Sequence, residues 1–239
     1  MPKSINSMFV SVILLAAGRG ERFRSRTPKT LAQVNQRPLI TFSLRAFCAS
    51  PLINEIVVVV NQANRRAIES IDASKKFSKI ARIVLGGKER QDSVACGLKA
   101  ISPEASLVVI HDAARPFVSA QLIGSLIREA RLTGAAIAGV PVKATIKKVG
   151  PCAGNRRYCV QKTLVRQELW EIQTPQVFEA GLIRKAYQRF GEACVTDDAA
   201  LVEKLKARVS VVEGSYCNIK ITTPEDLVMA EAIAKGQFS

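Results

Sequence analysis

The chain has 239 residues, 48% of them hydrophobic and 23% charged, which is long enough to bury one sizeable core and too balanced for a disordered, fibrous or repeat-built protein. Subtracting 20 acids from 35 Lys and Arg leaves a formal net charge of +15, so the natural partner is an anion: a nucleic acid, a nucleotide or a sugar phosphate. The six cysteines, at 48, 96, 152, 159, 194 and 217, form no CxxC pair, and one histidine leaves no zinc-ligand spacing. Reduced cytosolic thiols are therefore expected.

The first apolar run, Phe9 to Gly18, is only about ten residues long and passes into charge with no export cleavage pattern. It reads as neither a signal peptide nor a membrane span, and a cytoplasmic protein without membrane partners is expected. In chain order, β-branched, continuously apolar runs predict buried strands at 10–15, 53–60, 80–85, 106–110, 135–142 and 208–213. Helical patterns occupy 39–48, 62–76, 89–101, 120–131, 181–189, 197–206 and 224–234. This alternation predicts a three-layer α/β domain over residues 1–239 with a mostly parallel sheet.

One segment breaks the rhythm. Lys143 to Trp170 runs through TIKKV, a Gly-Pro-Cys-Ala-Gly-Asn turn cluster and RRYCVQKTLV, the pattern of an extended hairpin. A hairpin without a core of its own is marginal in water, so it either lies on the domain or packs against a partner chain.

Val12-Ile-Leu-Leu-Ala-Ala-Gly-Arg-Gly-Glu-Arg-Phe, followed by Thr27-Pro28-Lys29, is a buried strand running into a basic glycine loop. Such a loop lets backbone amides approach phosphate oxygens closely. It is not a dinucleotide fingerprint, because Phe23 stands where a third small residue is needed and no acid lies between Gln36 and Leu44. Nor is it a Walker loop, since no Gly-Lys-Ser or Gly-Lys-Thr occurs. A second glycine turn, Gly86-Gly87-Lys-Glu-Arg-Gln-Asp-Ser93, opens a helix after a strand, and is either a site for a flat base or a plain turn capped by Asp92 or Ser93.

In Val108-Val-Ile-His-Asp-Ala-Ala-Arg, Asp112 stands at the carboxyl end of a strand, where α/β sheets bind ligands, and suits a metal or a substrate hydroxyl. His111 points to the opposite face, which disfavours a Ser-His-Asp arrangement and makes it structural. Lys220 stands on a short apolar strand before a Thr223-Pro-Glu-Asp helix start, and Asp197 and Asp198 read as helix-start acids or as site residues.

The motifs AAGRGERF, TPK, GGKERQDS, HDAARP, TPQ, TDDA and NIKITTPEDL, in this order from Val12 to about Ala234, resemble the 2-C-methyl-D-erythritol 4-phosphate cytidylyltransferase family. The resemblance implies a Rossmann-like nucleotidyltransferase fold with a projecting β-arm, and transfer of CMP from CTP to methylerythritol phosphate with Mg²⁺ carried mainly on the CTP phosphates. It implies that Ala16, Ala17, Gly18 and Gly20 wrap CTP, that Gly87 and Ser93 meet cytosine and ribose, and that Arg22, Lys29 and Lys220 are catalytic. Asp112, Arg115 and Thr174 would line the substrate side. The arm, 143–170, would build a homodimer and send Thr145 and Arg166 to the neighbouring subunit's methylerythritol phosphate.

Four positions depart from the family pattern: Thr30 for Gln, Phe23 for Met, and Ala144 and Val165 for acids of the arm. A ribitol 5-phosphate cytidylyltransferase is the nearest alternative, disfavoured by Ala17 where those enzymes usually carry Gly. A sugar nucleotidyltransferase would show a different base-recognition segment. A nucleic-acid-binding module lacks stacking aromatics and a reader motif here, so no nucleic-acid partner is expected.

Overall fold

The computed structural model describes residues 8–18, 23, 28–74, 76–152 and 158–236. Seven strands build its central sheet: β1 (Phe9–Leu15), β4 (Glu55–Val60), β5 (Ile80–Leu85), β6 (Ala105–Asp112), β7 (Ala135–Pro141), β10 (Trp170–Glu179) and β11 (Ser210–Glu213). Their order across the sheet is β11-β7-β10-β6-β1-β4-β5. β4, β1 and β6 are buried on both faces, as their continuous apolar runs require.

The pleat divides the core. Val10, Val12 and Leu14 of β1 face Ile40, Leu44 and Phe47 of α1 (Ile40–Ala49), Ile68 of α2 (Arg65–Ala73) and the apolar stripe of α4 (Ala120–Thr133). Ile13 and Leu15 face the other way, toward α3 (Arg90–Ala100), α5 (Ala180–Phe190) and α6 (Ala199–Lys204). Alternate side chains of one strand thus serve two helical layers, which gives the three-layer architecture. A smaller cluster seats α7 (Pro224–Ala234) through Ala230, beside Val34 of a two-residue ribbon, β2 (Gln33–Val34) and β3 (Arg37–Pro38).

Neighbouring strands of the sheet are parallel except around β10, which runs antiparallel to both β6 and β7. The sequence reading has no strand there. Pro175 interrupts the run and cannot donate to a ladder, and the β10–β7 register indeed shifts between Ile172 and Gln176. Burial on both sides overrides the local signal: Gln173 to Phe178 are buried.

Between β7 and β10 lies a separate hairpin, β8 (Lys147–Pro151) and β9 (Tyr158–Thr163), paired antiparallel. Every residue of β9 is exposed. Its root is tied down: Tyr216 donates to the Pro141 carbonyl at 2.6 Å, the Lys143 ammonium lies 3.4 Å over the Tyr216 ring, and Arg166 donates to the Lys143 carbonyl at 2.9 Å.

The expectation of six reduced thiols needs correction. Cys152 and Cys159 form a disulfide, because the hairpin ladder sets Pro151 and Gly150 opposite Tyr158 and Cys159 and brings the two Cα atoms to 5.2 Å. Cys48, Cys96, Cys194 and Cys217 form no disulfide. Denatured protein should therefore titrate four thiols without reductant and six after reduction; six without reductant would show the hairpin to be unlinked.

Candidate active site

The carboxyl ends of the central strands converge on one edge of the sheet. Backbone bonds lock them together: Ala16 N–H to the Val59 carbonyl, Ala113 N–H to that of Leu15 and Gly86 N–H to that of Val60, at 2.7, 3.0 and 2.8 Å. The chain leaves β1 for β4 and β5 on one side and returns to β6 on the other, so β1 is a switch point of the kind that opens a ligand crevice.

A cavity of about 630 Å³ lies there, and Ala17, Gly18, Lys29, Ser93, Asp112 and Lys220 line it together. These side chains come from the β1 loop, the turn Lys29–Leu31, the start of α3, the end of β6 and the segment before α7. Gly20 and Arg22 lie outside the described residues, as does Thr27. Ala16 is fully buried behind the wall.

The glycine turns are shaped by packing. A Cβ on Gly86 would lie 2.5 Å from Ser93 Oγ and 2.7 Å from Ala17 Cβ, and one on Gly87 would collide with Asp92. Helix α3 begins with a capping box in which Glu89 N–H donates to Asp92 Oδ2 at 2.9 Å, while Ser93 Oγ donates to the Glu89 carbonyl at 3.1 Å. Gly86→Ala should cost about 1–3 kcal/mol by overpacking and raise KM for the substrate that the cavity takes, because it pushes two wall residues apart. Urea unfolding and KM will measure this, and an unchanged KM would remove Gly86 from the site.

Sequence reasoning missed the residues that hold the β1 loop. Asn61 Nδ2 donates to the Ala17 carbonyl at 3.0 Å, and Asn64 Nδ2 to the Ala16 carbonyl at 2.8 Å and to Thr30 Oγ1 at 3.1 Å. Thr30, one of the departures, is thus a buried acceptor. Asn61 and Asn64 also bond each other's backbone as a turn, a local signal readable from the Asn-x-x-Asn spacing.

Arg90 was also missed. Its Nε lies 3.1 Å from Asp112 Oδ1 and its Nη2 pairs with Asp198 Oδ2 at 2.8 Å, while Lys220 Nζ lies 2.6 Å from Asp112 Oδ2. Burial alone would push the Asp112 carboxyl up, but the charges of Arg90 and Lys220 outweigh it and hold it well below the usual carboxylate range. Burial likewise opposes the charge on Arg90, and Asp198 and Asp112 keep it firmly protonated.

Thr174 and Arg115 stand behind the wall. Asp112 N–H donates to Thr174 Oγ1 at 3.1 Å, and the Thr174 hydroxyl meets His111 Nδ1 at 3.1 Å. The Arg115 guanidinium donates to the carbonyls of Asn218 at 2.7 Å and Ile172 at 3.4 Å, tying the Lys220 segment to β10. His111 is fully buried, with Nε2 2.9 Å from the Arg115 carbonyl and its ring edge-on to Phe47. Thr145 and Arg166 are exposed near the hairpin and outside the cavity wall.

Among the described residues no cluster of three or more His, Cys, Asp or Glu could hold a metal ion. The two carboxylates on the wall are both engaged, Asp112 by Arg90 and Lys220, and Glu89 by the α3 cap. The described residues of the wall therefore offer no free carboxylate cage for a metal ion.

A glycine loop, a helix start and three lysines around a crevice at a sheet switch point define a phosphate- and nucleotide-binding protein of the α/β class. A profile of 2-C-methyl-D-erythritol 4-phosphate cytidylyltransferase matches residues 10–236, and the chain belongs to that family. The enzyme of that name from Dehalococcoides mccartyi strain 195 is 42% identical over 226 residues, covering 95% of this chain and 96% of the relative. Its counterpart from Geobacillus kaustophilus is 42% identical over 234 residues, covering 97% and 100%.

Among solved structures, 4-diphosphocytidyl-2C-methyl-D-erythritol synthase from Anaerococcus prevotii superposes with a TM-score of 0.83 at 34% identity, covering 97% of this chain and 98% of that one. The cytidylyltransferase from Thermus thermophilus gives a TM-score of 0.74 at 34% identity, with 95% and 100% coverage. No helix among the described residues is long and apolar enough to cross a membrane.

Proposed function

We propose that the chain transfers CMP from CTP to 2-C-methyl-D-erythritol 4-phosphate and releases diphosphate, a step of non-mevalonate isoprenoid precursor synthesis. The observation that carries this reading is the convergence of Lys29 and Lys220 on one cavity with the Ala17–Gly18 loop and the Ser93 helix start. No protein nucleophile is needed, since a phosphate oxygen of the acceptor attacks the α-phosphorus in line. Catalysis is then positioning and neutralisation of charge on the α-phosphate and departing diphosphate.

In this reading Ala16, Ala17, Gly18 and Gly20 enclose the CTP, and Gly87 and Ser93 meet its cytosine and ribose. Lys29 and Arg22 neutralise the phosphates and Lys220 faces the reacting centre, with Mg²⁺ held by the nucleotide itself. Asp112, Arg115 and Thr174 shape the acceptor side. The hairpin supplies a homodimer contact and carries Thr145 and Arg166 to the partner's site; the exposure of Tyr158 and Val160, at 77% and 62%, supports a covering partner. A cytoplasmic location belongs to the same reading.

The test is diphosphate release from purified protein with Mg²⁺ and CTP, offering methylerythritol phosphate and ribitol 5-phosphate separately, with ATP, GTP and UTP as controls. Release with CTP and methylerythritol phosphate alone is expected. Preference for ribitol phosphate would move the enzyme to another pathway, and silence with every pair would end the assignment.

A further inference from the structure

We infer that Arg90 is a positioning residue of the transfer reaction: anchored on buried Asp198, it fixes the Asp112 carboxylate that in turn presents the Lys220 ammonium to the cavity. The inference rests on the role proposed for Lys220.

Four charges stand in an alternating row, Lys220, Asp112, Arg90 and Asp198, with successive contacts of 2.6, 3.1 and 2.8 Å. The far end is held as well, because Tyr187 Oη donates to Asp198 Oδ1 at 2.6 Å. Asp198 is free for this because its neighbour does the local work: Asp197 accepts from Ala200 N–H at 3.2 Å and from Gln176 Nε2 at 2.8 Å.

The side chains of Lys220, Asp112, Arg90 and Asp198 are 38%, 10%, 30% and 1% accessible, so the row starts at the open cavity and ends fully buried in the packed layer of α5 and α6. A lysine is a point charge on a flexible stem, and its aim depends on what holds its ammonium. Asp112 turns about its own side-chain torsions unless its second oxygen is held too, and Arg90 alone among the described side chains ion-pairs with it there. A planar guanidinium can grip two carboxylates at fixed angles, which a lysine cannot do.

The experiment is a double-mutant cycle on the full chain, read as kcat and KM for CTP with methylerythritol phosphate. Arg90→Gln should lower kcat roughly 10- to 100-fold with KM for CTP nearly unchanged. Lys220→Gln should lower it at least as much, and the double variant should fall no further than Lys220→Gln, since the two residues act in series. Arg90→Lys should recover part of the loss.

Arg90→Gln leaves the Asp198 carboxylate buried without its ion-pair partner, so the charge-neutral pair Arg90→Gln with Asp198→Asn is compared by thermal melting. It should melt near the parent and still show the kcat loss. Additive effects of Arg90→Gln and Lys220→Gln, a change confined to KM, or recovery of full kcat in the charge-neutral pair would overturn the inference. An inert Lys220→Gln would instead remove the role proposed for Lys220, and the inference with it.

Discussion

Lys29→Ala is expected to lower kcat by about 10² to 10³ while leaving the fold standing, the usual consequence for turnover of deleting one charge-stabilising group from a preorganised site. The two effects separate because of where Lys29 stands. It opens the turn Lys29–Leu31, whose backbone bond runs from Ala32 N–H to the Lys29 carbonyl at 3.1 Å and survives any side-chain change. The packing is carried by its neighbours: Thr30 is buried against Asn64 and Leu31 rests on the core. What the alanine removes is a cation on the cavity wall. Diphosphate release and a melting curve on the same preparation check this. Normal turnover would refute a catalytic role for Lys29, and a collapsed melting temperature would make it a structural residue.

Stability should fall as pH drops from 6.5 towards 4, by about 2 kcal/mol between pH 7 and pH 5 and about 3 kcal/mol in all. The cause is His111, the sole histidine, whose burial lowers its pKa from 6.5 to about 4. The hydrogen bonds agree. Nε2–H donates to the Arg115 carbonyl, so Nδ1 is the acceptor for the Thr174 hydroxyl, which itself accepts from Asp112 N–H. A second ring proton would turn that acceptor into a donor and strand the hydroxyl.

Above pH 6.5 the ring is neutral in folded and unfolded chains and contributes no slope. Between 6.5 and 4 only the unfolded chain binds the proton, so stability drops as pH falls through this window. Asp112, held low by Arg90 and Lys220, adds its loss only at still lower pH. Urea unfolding at several pH values, with the single imidazole followed by NMR, measures both sides. A flat stability between pH 7 and pH 5 would contradict a buried neutral His111.

Much of the fold is legible in local patterns. The position of the strand Ile80 to Leu85 and of the helix from Pro224 to Ala234 needs no tertiary information, since a mainly apolar run and a Thr-Pro-Glu-Asp start are read from neighbouring residues alone, although that strand takes the sheet edge and is not buried as expected. The hairpin of Lys147 to Thr163 was legible from its turn cluster. Strand β10 was not, because Pro175 is a breaker locally and is tolerated only where the ladder skips it.

The site divides the same way. Gly18, Ser93 and Asp112 sit at the end of a strand or in the first turn of a helix, positions that strand and helix signals mark in advance, whereas Lys220 lies in an irregular segment between β11 and α7 and not on the strand expected for it; the fold gathers them with Lys29 into one cavity. Asn61 and Asn64 act through side-chain bonds to the carbonyls of a distant loop. Arg115 carries a family motif position, yet its guanidinium is spent on backbone carbonyls.

The sequence by itself thus determined the layers, the parallel core strands, the family and the wall residues, because these depend on periodicity and on backbone conformations set within a few residues. Only the tertiary structure decided the antiparallel seat of β10 and the row from Lys220 to Asp198, while the Cys152–Cys159 link waited on the register of the exposed hairpin. The first two join residues from distant elements, and which distant strands or charges meet is settled by how the buried faces pack, a quantity no local pattern encodes.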